Sequence, residues 1–349
     1  MDTGLLRNLW YMGTLSAQLK AGKMKSLVIF GEPILFYRDS KGKVSALRDI
    51  CPHRGIPLSY GKVVNDQVEC GYHGWKFDCS GTCTEIPSLV NGQDLDPGKI
   101  KVRSYPTLEK HGVIWIFIGE KNAKNIDISK FPLPPVFPGF SQDQKPKITE
   151  EVIFPCHVDH AVIGLMDPAH GPYVHKSWFW RSEKTMYEKT KKFGPTPFGF
   201  QMIRHEPSKN SKAYKILGGT PTTEITFSLP SVRVEHIMMG QHSVFSLTAL
   251  TPIDEKNTRV HQMLFWNLAR LSLVKPFIKK FAQVFLDQDK NAVSQQQDGL
   301  KYDPTLMLIK DADTQAKWYF QLKTEWMNSA TENRPFRNPV PKTDLKWKS

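Results

Sequence analysis

Cys51-Pro52-His53-Arg54-Gly55 and Cys70-Gly71-Tyr72-His73-Gly74-Trp75 are the two stretches on which the reading of this chain turns. The first is a C-x-H clip and the second a C-x-x-H clip, with sixteen residues between them. Each follows a run with strand character, Ala46 to Ile50 and Val63 to Glu69, and each enters a glycine-containing turn. Two such clips at neighbouring loop tips would bring two thiols and two imidazoles to one point. Structural zinc accepts such a set tetrahedrally, but zinc fingers favour C-x₂₋₄-C and H-x₃₋₅-H clips rather than mixed ones. A binuclear iron–sulfur cluster with two thiolates on one iron and two imidazoles on the other draws one of each from each clip. A chance set of buried thiols and surface imidazoles is the remaining alternative, and four ligands at this spacing with flanking glycines argue against it.

The surroundings of the clips read as all-β. From residue 26 to about 118, short runs such as Leu27-Val28-Ile29-Phe30, Ile34-Leu35-Phe36-Tyr37 and Val113-Ile114-Trp115-Ile116-Phe117 are punctuated by turns at Gly31-Glu32-Pro33, Asp39 to Gly42 and Asp96-Pro97-Gly98. Such spacing suggests a small barrel or sandwich. A stretch with Pro132, Pro134, Pro135, Pro138 and Pro146 follows, and the domain boundary is expected there, dividing the chain into 1–125 and 126–349. Beyond it come a helix over about 157–170, strands between 199 and 266, a helix opened by Pro276 and closed before Gly299, and a helix over about 312–329.

Composition bounds the rest. The chain has 349 residues, 40% hydrophobic and 23% charged, which excludes a disordered tail, a collagen-like rod and a coiled coil. The net charge of +13 comes from lysines spread along the chain, so a basic solvated surface is the reading rather than a nucleic-acid groove. Five cysteines in a chain of this length are no secreted disulfide framework, and Cys79, Cys83 and Cys156 are expected to be ordinary buried thiols. No leader-like pattern opens the sequence, and the apolar segment Leu264 to Leu286 is interrupted by Arg270, Lys275, Lys279 and Lys280. A reduced, cytoplasmic protein with no membrane span is therefore expected.

A second constellation lies at Asp167-Pro168-Ala169-His170-Gly171-Pro172-Tyr173-Val174-His175, which reads D-x-x-H-x₄-H. An offset of three puts Asp167 and His170 on one helical face, and Gly171-Pro172 should break the helix so that His175 approaches the same point. Two His and one carboxylate with open positions is the ligand set of mononuclear non-haem Fe(II). In the helix after Pro276, Phe277, Phe281, Phe285 and Asp289 follow at steps of four. Asp289 thus extends an apolar stripe where a lone charge would be costly, whereas Asp287 and Asp298 lie on the opposite side. Asp159, His160, His157, His205, His236, His242 and His261 read as solvated or structural.

At this point the chain resembles the Rieske family, and its clips look like the oxygenase branch: Cys79 and Cys83 fall outside the clips, so the additional disulfide of the respiratory branch is absent. The order of motifs is similar to that of Rieske oxygenase α subunits over nearly the whole chain, with the vanillate demethylase and pheophorbide oxygenase groups as the nearest type. The resemblance implies an α+β protein: an N-terminal all-β Rieske [2Fe-2S] domain and a C-terminal catalytic domain whose antiparallel sheet is packed by helices, helix-grip-like. It implies that Cys51, His53, Cys70 and His73 hold the cluster, that His170, His175 and Asp289 hold mononuclear Fe(II), and that Asp167 bridges a cluster histidine of a neighbouring subunit to His170 in a homotrimer. One departure is plain: Ile163 and Gly164 stand where many members carry an acidic residue and an Asn.

The activity so implied is that of a terminal oxygenase, a monooxygenase or demethylase rather than a dihydroxylating dioxygenase. It takes O₂ and electrons from NAD(P)H by way of a separate ferredoxin or flavin reductase, since no G-x-G-x-x-G and no plant-type ferredoxin spacing occurs in the chain. A small apolar substrate, aromatic or steroid-like, would enter a pocket with Met202, Phe227, Phe245, Leu247 and Phe285 as candidate walls. The alternative is a Rieske electron carrier without oxygenase activity.

Overall fold

The computed structural model describes residues 4–120, 127–175, 183–207 and 220–349. They form two compact units: Arg7–Lys145, and Met1–Leu6 together with Pro146–Ser349. The expected boundary at 125/126 lies outside the described residues. Residues 127–145 go with the first unit because the chain there is pinned to it: the His111 N–H donates to the Gln142 carbonyl at 2.6 Å, and Phe137 stacks on the His111 ring.

The first unit is all-β. Its strands are β1 (Leu9–Leu15), β2 (Met24–Ile29), β3 (Glu32–Arg38), β4 (Val44–Arg48), β5 (Lys62–Val64), β6 (Gln67–Glu69), β7 (Lys76–Phe77), β8 (Cys83–Glu85), β9 (Ser104–Tyr105), β10 (Thr107–Lys110) and β11 (Val113–Ile118). They make three antiparallel sheets in the orders β1-β11-β10, β2-β3-β4-β9 and β5-β6-β7-β8. β11 is buried along its whole length, which is why it reads as an unbroken apolar run rather than an alternating one.

The second unit is built on one eight-stranded antiparallel sheet. Its strands are β12 (Ile148–Phe154), β13 (Glu188–Thr196), β14 (Gly199–His205), β15 (Thr222–Ser228), β16 (Val232–Met239), β17 (His242–Pro252), β18 (Thr258–Trp266) and β19 (Thr343–Lys348). The order is β12-β18-β17-β16-β15-β14-β13-β19. The helices are α1 (Val158–Met166), α2 (Gly171–Val174), α3 (Ala269–Leu273), α4 (Lys275–Leu300) and α5 (Thr314–Thr331). α4 packs along β12, and α1 packs against α5 and α4. This is the expected α+β arrangement of a sheet gripped by helices.

Candidate functional site

In the first unit, the two clips form loops of matching backbone design. The Cys51 N–H donates to the Ile56 carbonyl at 2.9 Å and the Gly55 N–H to the Cys51 carbonyl at 2.9 Å; Cys70 and Trp75, and Gly74 and Cys70, repeat the pattern at 2.8 and 3.1 Å. Each loop closes through a glycine in the left-handed region, Gly55 at φ 73° and Gly74 at φ 72°, which explains the glycine at the same place after each clip. Buried Asp49 anchors the first loop by accepting from the Ser59 N–H, Ser59 Oγ and Ser26 Oγ at 2.5–2.7 Å.

These loops bring the four expected ligands together. Cys51 and Cys70 are buried free thiols. Burial pushes the Cys51 thiol up to about 11, with Cys70 beside it adding to the rise, while the backbone N–H groups of His53 and Arg54 that point at its sulfur pull the other way. The His53 and His73 rings lie with centroids 4.5 Å apart, Trp75 stacks on His53 at 4.6 Å, and His53 Nδ1 is buried with no hydrogen-bond partner. Two buried thiols, that of Cys51 facing backbone N–H groups, and two convergent imidazoles, one with an orphaned nitrogen, fit a 2Fe–2S cluster with mixed ligation. Of the other thiols, Cys83 and Cys156 are buried as expected, but Cys79 is exposed, because it sits at the turn Cys79-Ser80 beyond the end of β7.

In the second unit, His170, His175 and Asp289 converge. The His170 and His175 Nε2 atoms are 3.1 Å apart, and Asp289 Oδ1 lies 3.0 Å from His175 Nε2 and 3.6 Å from His170 Nε2. Three ligands about 2.1 Å from one ion would be separated by about 3.0 Å at right angles and about 3.4 Å at tetrahedral angles, so the triangle fits a single metal with room on its open side. Among the described residues, it is the group of three or more potential ligands that meets this proximity.

The local route to this geometry differs from the expectation. α1 ends at Met166, so Asp167 caps its C-terminus instead of continuing it, and Gly171-Pro172 opens α2 rather than breaking a helix. Proline suits a first helical turn, where its missing N–H costs nothing. Asp167 stays beside His170 all the same: its Oδ1 accepts from the Ala169 N–H at 2.7 Å and its Oδ2 lies 3.5 Å from His170 Nδ1. Burial alone would lower the His170 pKa, but the carboxylates of Asp167 and Asp289 outweigh it and the pKa is raised.

α4 supplies more than Asp289. Gln288 Oε1 lies 3.1 Å from His175 Nδ1, and Phe285 stacks on the His175 ring with centroids 3.4 Å apart. One helix thus provides one candidate ligand and clamps a second, holding its Nε2 toward the triad. Asp287 and Asp298 are exposed, as their place on the helix predicts.

The triad sits in the wall of a cavity of about 990 Å³ between the sheet and α4, a size suited to a small organic molecule. Met202 and Phe285 line it as expected, but Phe227, Phe245 and Leu247 do not. Side chains alternate along a strand, and in β17 it is Val244, Ser246, Thr248 and Leu250 that face the cavity. The sheet wall also carries a polar row: Gln262, Thr248 and Arg233 are register partners on β18, β17 and β16. Arg233 pairs with Glu235 at 3.3 Å, and Gln262 Oε1 is buried with no hydrogen-bond partner.

Asp159, which reads as solvated from the sequence, is buried. It accepts from Tyr319 Oη and Lys323 Nζ, both at 2.6 Å, and ties α1 to α5. Its place on the apolar stripe with Val162 and Met166 was the signal for this. His160 lines the cavity, and burial lowers its pKa. His236 is held by Arg204 at 3.0 Å and stacked on Phe245; burial pushes it down to about 4.

Comparison with known proteins matches residues 9–106 to the Rieske [2Fe-2S] domain and residues 155–320 to the vanillate O-demethylase oxygenase C-terminal domain. The chain belongs to the Rieske oxygenases. The chlorophyllide a oxygenase of Chlamydomonas reinhardtii is 39% identical over 178 residues, half of this chain and 25% of that protein. The dicamba O-demethylase oxygenase component of Stenotrophomonas maltophilia is 34% identical over 175 residues, 49% of this chain and 48% of that one. The chain thus spans less than half the length of these curated Rieske oxygenases. A crystal structure of dicamba monooxygenase bound to dicamba superposes over 94% of this chain and 98% of its own, with a TM-score of 0.73 at 24% identity, and shows the shared fold.

Proposed function

We propose that this chain is the terminal oxygenase of a Rieske system, which hydroxylates or oxidatively demethylates a small, largely apolar substrate. The observation that carries the reading is the convergence of His170, His175 and Asp289 in the wall of a cavity of small-molecule size. An electron carrier needs no such cavity and no three-ligand site beside it.

In this reading Cys51, His53, Cys70 and His73 hold the cluster, and His170, His175 and Asp289 hold the mononuclear iron. Together the two centres supply single-electron transfer and O₂ activation when loaded. The residues of the chain do the rest. Trp75 and the glycine turns fix the cluster imidazoles. Gln288 and Phe285 keep the His175 tautomer and plane. Asp167 orients His170 through its Oδ2, and its partial exposure leaves it reachable by a cluster histidine of a neighbouring subunit, which supports a homotrimer in which electrons cross between chains.

The apolar walls from Val260, Leu264, Ile237 and Phe281 exclude water and favour an aromatic or alicyclic body. Arg233, Thr248 and Gln262 would meet a polar substituent on it, since Gln262 Oε1 otherwise stays unpaired. Electrons would come from NAD(P)H through a ferredoxin or flavin reductase as a separate partner. No described helix is long and apolar enough to cross a membrane.

Iron analysis with a substrate screen tests the proposal. An oxygenase carries about three iron atoms per chain, against about two for a carrier, and couples NADH oxidation by a generic reductase to product. Two iron atoms per chain in fully loaded protein, with no coupled product, would overturn it.

A further inference from the structure

We propose that the rim of the catalytic cavity docks on the anionic surface of a lipid bilayer, with apolar side chains inserting and basic ones meeting the headgroups. The observations come from the junction of α3 and α4. Leu271 and Ile278 turn inward there and pack with Ile148, Trp266 and Leu268. The inward side is thereby complete, yet the outward side is also apolar: Leu273, Val274 and Phe277 are 85%, 42% and 63% exposed. Single exposed apolar residues are ordinary, but three large ones within two turns are a patch.

The patch stands at the cavity mouth. Val274 and Phe277 both line the cavity while open to solvent, and so does Met307, 83% exposed in the segment after α4. The charge along the α3–α4 junction itself has one sign. Arg270, Lys275, Lys279 and Lys280 fall within it, and no carboxylate occurs from Asn267 to Leu286. Lys279 lies 3.9 Å from Glu150, whereas Arg270, Lys275 and Lys280 make no ion pair among the described residues. Inserted apolar side chains ringed by unneutralised cations are the signature of a segment that lies in the headgroup plane, and anionic lipid is the partner whose charge complements it. The same cations prevent the segment from spanning. A mouth facing the bilayer would let a lipophilic substrate pass into the cavity without crossing water. That last consequence rests on the proposed function, while the docking does not.

The test is co-sedimentation of the full holoprotein with phosphatidylcholine vesicles, with and without phosphatidylserine, at rising salt. Binding is expected to the anionic vesicles and to fall with salt. Lys275→Gln/Lys280→Gln should weaken it about 30-fold, roughly fivefold per cation. Leu273→Ser/Phe277→Ser should weaken it further at high salt, where only insertion remains. Cluster absorbance and circular dichroism report that both variants are folded. No binding of the wild type to anionic vesicles, or equal binding by folded variants, overturns the proposal. So does light scattering in which Leu273→Ser/Phe277→Ser turns an oligomer into monomers, because the patch is then an interface between copies.

Discussion

Replacing Gln288 by leucine removes one hydrogen bond and little volume, and its consequence can be worked from the geometry. Gln288 Oε1 lies 3.1 Å from His175 Nδ1, and His175 is 3% exposed, so no water replaces the lost acceptor. A metal-binding imidazole must carry its proton on Nδ1 to leave the Nε2 lone pair free. The variant therefore strands a buried N–H in the metal-binding tautomer, at a cost of about 1–3 kcal/mol. Loss of such an orienting partner typically weakens a metal site about 10–100-fold. Phe285, stacked at 3.4 Å, still holds the ring plane, so the lower part of that range, about 10–30-fold, is expected here. The assay is iron retention against increasing chelator, with the cluster absorbance as internal standard. Gln288→Glu restores an acceptor and should restore retention. A leucine variant that keeps its mononuclear iron to the same chelator concentration as the wild type refutes the positioning role.

Further outcomes follow from the same geometry. His170→Ala should keep the cluster colour, lose about one iron of three and abolish turnover; turnover that persists removes His170 from the ligand set. Asp167→Asn should keep both metals and slow cluster reoxidation, measured by stopped-flow absorbance. Lys323→Met leaves Asp159 charged and buried, and should cost about 3–5 kcal/mol in denaturant unfolding; a change under about 1 kcal/mol would show that the remaining partners, Tyr319 and His157, suffice. The raised His170 pKa gives a sign for pH. In the metal-free chain protonated His170 stabilises the fold below the ordinary histidine pKa, and this contribution is lost as pH rises through the raised one. Metal needs the neutral ring, so iron affinity should fall as pH drops through that same raised pKa. Asp167→Asn, which leaves the triad intact, should move this midpoint to lower pH.

Much of the site was legible in the chain. The mixed Cys/His clips, with a glycine after each, state both the candidate ligands and the loop, because the left-handed turn and the donor set are local requirements. Asp289 was legible as a charge on the stripe of Phe281 and Phe285. Other residues were not. Asp159 looks like any helical acid until Tyr319 and Lys323, far along the chain, close on it. Phe245 and Leu247 read as pocket walls, but strand parity sends them to the opposite face, and only the register decides that parity. Gln288 carries no sequence signal, since its role depends on where His175 stands.

The sequence alone determined the donor types, their spacing and the alternation of strand and helix, since each is written in residues close together in the chain. Only the tertiary structure decided that His170, His175 and Asp289 share one point, that a polar row crosses the cavity wall, and which unit the proline-bearing stretch joins. These depend on contacts between residues remote in sequence, whose pairing is fixed by packing and register rather than by local preference.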